Sequence, residues 1–281
     1  MAPKTKMQRR WSTMAACDFG GIEMLFFGAK DGTARTIAIA DDGSPVLLKK
    51  QKVDPLFSHC AYADPVLALY TFATGAGALA YVGRDGSVEE AKGFNVAPYW
   101  TTLASDGYQF LFYRLDQQWA SARTMFSDDG SISGLAPGSA SGDRGSAFDC
   151  FTSSRGQLIA YSSSQNFYVC GYLDTSGNWE VTWSNASFPD QQFAPAFTHM
   201  AGTASHLIFY NMATGAAMTA QITQGGTIQT LKTFALKPHY TDVLATAFHV
   251  VLVRNLPSSC RGITGSIAAD GTFTEAYPID V

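Results

Sequence analysis

The chain has 281 residues, 46% of them hydrophobic and only 15% charged, with a formal net charge of −4. That balance describes a well-buried globular protein and excludes an intrinsically disordered one. A mildly acidic chain has no general attraction for phosphate backbones or anionic lipid, so neither nucleic acid nor a membrane is expected as a partner.

The N-terminal basic cluster Lys4, Lys6, Arg9 and Arg10 reads as a solvated leader. The stretch after Arg10 is interrupted by Ser12, Thr13 and Asp18, which leaves no continuous apolar core for a signal peptide. No run of about 18 apolar residues is available to span a bilayer. A cytoplasmic location is expected. Five cysteines at wide spacing, with no CxxC pair, fit reduced thiols rather than a disulfide framework or a zinc site.

Three markers then recur in fixed order along the chain. An opening aromatic comes first, an apolar strand ending in an aromatic second, and a glycine turn third. The first unit has Trp11, Met24 to Phe27 and Asp42-Gly43-Ser44; the second has Phe57, Leu67 to Tyr70 and Asp85-Gly86-Ser87. The third has Trp100, Phe110 to Tyr113 and Asp129-Gly130-Ser131; the fourth has Phe148, Leu158 to Tyr161 and Ser176-Gly177-Asn178. The fifth has Phe197, Leu207 to Tyr210 and Gly225-Gly226-Thr227, and the sixth Tyr240, a degenerate Val250 to Val253 and Asp270-Gly271-Thr272. Asp-Gly between β-rich runs is a strong hairpin signal, because glycine accepts the positive φ of a tight turn. The turn glycines lie 43, 44, 47, 49 and 45 residues apart.

Each unit reads as four strands, and one such sheet cannot bury both faces alone. Radial stacking solves that. The expectation is an all-β chain forming a single six-bladed β-propeller with four-stranded antiparallel blades, at approximately 10–54, 55–97, 98–145, 146–194, 195–237 and 238–281. Helical periodicity is nowhere sustained. The ring would begin on an innermost strand and end on an outermost one, so closure rests on blade packing unless residues 1–9 pair with the last blade.

The order of an aromatic-Thr strand, a Leu-Ile-Phe-Tyr strand, Ala-Thr-Gly and a late Gly-Thr turn is clearest in Phe197-Thr198-His199-Met200, Leu207 to Tyr210, Ala213-Thr214-Gly215 and Gly226-Thr227. It resembles lectin-like propellers of the tectonin and fungal or bacterial fucose-lectin type. That resemblance implies glycan binding on stacking aromatics, for which Trp119 or Trp179 is the expected platform here. Ligand motifs do not recur in every repeat, so one or two sites are expected rather than one per blade.

The repeats can be compared with one another. The residue after each opening aromatic is Ser12, Ser58, Thr101, Asp149, Thr198 and Thr241, short and polar throughout, which suggests a repeated structural hydrogen bond. The next position varies: Thr13, His59, Thr102, Cys150, His199 and Asp242. A varied polar ring is what one asymmetric axial site needs. It places His199 between Cys150 and Asp242, which permits a Cys-His-Asp relay, with His59 on the far side. Trp11, Tyr99, Trp100, His239 and Tyr240 begin their strands and are candidates for the pocket rim. Metal ligand spacing is absent, no Walker A, HExxH or GxSxG motif occurs, and no cofactor is expected.

Three functions remain open: binding of a glycan or other small organic ligand, a cofactor-independent cyclase, isomerase or hydrolase with a central His/Asp pocket, and a protein-interaction scaffold.

Overall fold

In the computed structural model, Gly43, Gly86, Gly226 and Gly271 adopt φ of 87°, 79°, 79° and 84°, so the anticipated tight turns form where the glycines stand. The structure describes residues 11–54, 56–114, 121–126, 132–133, 137–138, 148–174, 179–185 and 197–281. No α-helix occurs among these residues, and so none is long and apolar enough to cross a membrane.

The expected six equal blades need correction. Five blades are four-stranded antiparallel meanders in sequence order, and the third unit is instead a five-stranded sheet. There Ser121–Phe126 pairs separately with two fragments, Ile132–Ser133 and Pro137–Gly138. The cause is local. Pro137 has no N–H to give to a ladder, and Gly138 offers poor strand material where the other units have a continuous outer strand. The Asp129-Gly130-Ser131 and Ser176-Gly177-Asn178 turns lie outside the described residues.

The first blade shows the regular pattern: Thr13–Phe19, Ile22–Gly28, Thr33–Ile39 and Pro45–Lys52. Second strands such as Val66–Tyr70 and Leu207–Tyr210 are buried at every residue, because both faces of each sheet are covered by neighbours. Outer strands such as Val88–Asn95 are mostly exposed. The apolar core accordingly lies between sheets, with one cluster of described residues at each junction around the ring. None of the five cysteines is disulfide-bonded.

Two hydrogen bonds recur at the junctions. The tyrosine ending a second strand accepts from the backbone N–H of the next opening aromatic: Tyr70 from Trp100 at 3.1 Å, Tyr113 from Phe148 at 3.0 Å, Tyr161 from Phe197 at 3.3 Å, and Tyr210 from Tyr240 at 3.1 Å. Farther out, a third-strand threonine at a β-bulge donates to the turn glycine carbonyl of the following sheet. Thr36 reaches Gly86, Thr219 reaches Gly271, and Thr264 reaches Gly43, each at 2.6 Å. A Cβ on Gly86 would stand 2.4 Å from the Thr36 hydroxyl, so that turn needs glycine for closeness as well as for φ.

The last of those bonds closes the ring. Trp11 N–H donates to Asn255 Oδ1 at 3.1 Å and Asn255 Nδ2 donates to the Trp11 carbonyl at 2.9 Å. Trp11, Leu25 and Phe27 pack with Val251, Val253, Ile279 and Val281. Buried at the same seam, Glu23 pairs with His249 Nδ1 and accepts from the Phe248 N–H.

Candidate functional site

The inner strands surround the axis and present the repeated and varied positions to it. The expected structural bond is present. Ser12 donates to Gly28 O at 3.0 Å and Thr101 to Tyr113 O at 3.1 Å, and the hydroxyls of Ser58, Thr198 and Thr241 lie 3.2–3.3 Å from the matching carbonyls of Tyr70, Tyr210 and Val253. Asp149 fills the same seat as an acceptor, taking the Ser163 N–H at 2.9 Å.

One position on, Thr13, His59, Thr102, His199 and Asp242 line a single cavity of about 260 Å³ at the end of the axis where the inner strands begin. His59 and His199 sit three units apart in matching settings. Each Nδ1 meets the preceding hydroxyl, Ser58 at 2.9 Å and Thr198 at 2.8 Å. His199 Nε2 lies 2.9 Å from the carbonyl of Thr241 on the next sheet, and the Thr101 carbonyl accepts from His59 likewise. A carbonyl can only accept, so Nε2 carries the proton and Nδ1 receives the hydroxyl's. Burial holds His59 below the usual histidine pKa, with the Thr101 carbonyl opposing.

These bonds occupy the imidazoles differently from the anticipated relay. Asp242 takes the Thr241 hydroxyl at 2.7 Å. Cys150 Sγ donates to Thr198 O at 3.4 Å, and burial pushes its thiol up to about 12, with Asp149 adding to it, so the thiol stays protonated at neutral pH. Thr13 is buried within reach of the Cys60 thiol.

The aromatic candidates divide. Tyr99 and His239 are exposed, at φ of 73° and 74°, with their N–H groups on Phe72 O and Met212 O. Trp11, Trp100 and Tyr240 were expected at the rim, but their rings are buried in the inter-sheet clusters, where the stacking of adjacent sheets requires large apolar groups. Trp179, 2% exposed, packs against Phe148 and Phe151 and offers no platform. Trp119 lies outside the described residues.

A second, larger cavity was not anticipated. About 570 Å³ in volume, it occupies the other end of the inner strands and is lined from all six units by the hairpins that lead into the second strands. Asp18, Asp64 and Asp106 come from the first three units, and Ser154 and Arg155 from the fourth. Its signal in the sequence is an acidic residue four or five places after the varied position of units one to three.

No protein-family model matches the chain, and a search of curated proteins finds no match. Among solved structures the chain is similar to a 6-phosphogluconolactonase-like protein of Bacteroides uniformis, at TM-score 0.57 and 12% identity over 96% of this chain and 85% of that one. It is also similar to Hsv2 of Kluyveromyces lactis, at TM-score 0.55 and 7% identity over 97% and 99%. The β-propeller domain of Myceliophteria thermophila Cps50 matches at TM-score 0.55 and 10% identity over 92% and 82%. The likeness is one of fold: this chain is a β-propeller.

Proposed function

We propose that the chain binds one small, hydroxyl-rich organic molecule of the glycan class at the histidine end of its axis. The observation that carries this reading is the ring of non-equivalent polar side chains, Thr13, His59, Thr102, His199 and Asp242, around one cavity. Hydroxyls, a carboxylate and imidazole edges match the alternating donors and acceptors of a sugar ring. At about 260 Å³ the cavity falls just below the roughly 300–1,000 Å³ of drug-sized sites, which favours a single ring unit over an extended chain.

Binding is favoured over catalysis by the engagement of both nitrogens of His199 and by the protonated Cys150 thiol, since a general base or nucleophile needs the opposite state. The test is calorimetric titration with a monosaccharide panel. Saturable binding is expected for at least one sugar, weakened at least tenfold by Asp242→Ala and by Thr102→Val. A panel that shows no binding, or binding indifferent to both substitutions, overturns the reading.

A further inference from the structure

The hairpin cavity is electrically divided. Asp18, Asp64 and Asp106 line it from three consecutive units, while Arg155 lines it from the fourth, opposite the first across the ring. Asp64 and Asp106 have donors within their own surroundings: the Tyr62 hydroxyl at 2.9 Å, and the Tyr108 and Gln109 N–H groups at 2.9 and 2.8 Å. Asp18 is half-buried with no side-chain hydrogen bond among the described residues. Burial, followed by the neighbouring Glu23 and Asp64, lifts its carboxyl above the ordinary range. A cationic group beside it would reverse that.

On the other side Arg155 is exposed and anchored by one bond, Nη1 to Ile222 O at 3.0 Å, which leaves most of its five donors for an acceptor. Next to it Ser154 is 4% exposed and lines the cavity, and its Oγ has no hydrogen-bond partner among the described residues. An orphaned buried hydroxyl is uncommon and calls for a partner. The carboxylates are not gathered as metal ligands, since among the described residues no group of three or more His, Cys, Asp or Glu is placed to hold an ion. Tyr108 and Phe248, 73% and 70% exposed, stand on hairpins of opposite units at this end of the ring.

We infer that this cavity binds a zwitterion of the amino-acid and short-peptide class, its ammonium against Asp18 and Asp64 and its carboxylate against Arg155 and Ser154. The site is separate from the histidine end and does not depend on its ligand. At about 570 Å³ it has room for a short peptide.

The experiment is calorimetric titration of the full chain with alanine and its di-, tri- and tetrapeptides, each free, N-acetylated and C-amidated. At least one free length is expected to bind saturably in the millimolar range or tighter, and either cap should weaken it at least tenfold. Asp18→Asn should weaken the free peptide while leaving the N-acetylated one unchanged, and Arg155→Gln should do the same for the amidated one. That pairing of substitution with cap separates recognition from loss of fold, and Asp242→Ala should change none of these titrations. Failure of all four free peptides to bind, equal binding of capped and free forms, or variants that weaken every form alike would overturn the inference.

Discussion

The junction between the fifth and sixth sheets and the seam between the sixth and the first carry the same bonds through different residues. At the junction the Tyr210 hydroxyl takes the Tyr240 N–H, Thr219 reaches Gly271, and exposed Lys232 pairs with Asp270 at 2.7 Å. At the seam Asn255 takes the Trp11 N–H and also gives a bond back, Thr264 reaches Gly43, and the Tyr277 hydroxyl meets Asp42 at 3.2 Å. The seam adds one thing the junction lacks, the buried Glu23–His249 pair. At the junction the Tyr210 hydroxyl also gives a bond, to the carbonyl of Lys237 at 2.9 Å, but that residue is exposed. Across the seam no peptide bond links the partners, and an amide with both of its bonds buried and the buried Glu23–His249 contact stand in its place.

The largest effect that would sharpen this comparison is expected from Glu23→Ala. It leaves buried His249 and the part-buried Phe248 N–H without their shared partner, at about 1–3 kcal/mol each. Denaturant titration measures it, and a loss under about 1 kcal/mol would show that the seam does not rely on the pair. Next, Asn255→Ala should cost about 2 kcal/mol against about 1 kcal/mol for Tyr210→Phe, since both backbone groups that Asn255 serves are buried, whereas one of the two that Tyr210 serves, the Lys237 carbonyl, belongs to an exposed residue. Equal costs would erase the distinction between seam and junction.

A smaller effect concerns acid. The folded pKa of His59 lies below its unfolded value, so the native state binds fewer protons there. The stability it secures is complete above the unfolded pKa of about 6.5 and declines as the pH falls through that value toward the folded one. His206 has the same sign, so the contrast must be drawn against a single substitution. Stability measured from pH 7.5 to 5 should fall less steeply in His59→Gln than in the parent chain. The smallest change is expected from Lys232→Ala, no more than about 0.5 kcal/mol, because that pair is exposed and screened.

Much of this architecture is legible from residue order. The turn glycines at 43, 86, 226 and 271, the opening aromatics and the buried second strands stand where the repeats put them, because backbone sterics and burial act on neighbouring residues. The aromatic at the end of each second strand is visible too, but its role is not. Tyr70 serves Trp100 thirty residues away, a partnership no local period encodes. In the sixth unit Val253 reads as a degraded marker, while the working residue is Asn255, two places later. The ring of Thr13, His59, Thr102, His199 and Asp242 emerges when the repeats are aligned, yet what engages its histidines does not, since that depends on carbonyls of the adjoining sheet. Trp179 reads as a platform because an aromatic early in an outer strand looks the same in sequence whether the third sheet covers it or solvent does. The carboxylates of the hairpin cavity lie at the far ends of the inner strands, where the spacing between repeats drifts by a residue and only the folded ring brings them together.

The threonine-to-glycine bonds also give synthesis a direction. Thr36 must wait for Gly86, and Thr219 for Gly271, some fifty residues of later translation in each case. Thr264 alone reaches backward, to the carbonyl of Gly43, which left the ribosome more than two hundred residues earlier. The first two of these joints are therefore completed by the sheet that follows, and the final one by a turn that has been waiting since the first. A nascent chain carries an open acceptor at one edge and an open donor at the other until the sixth sheet brings the two together.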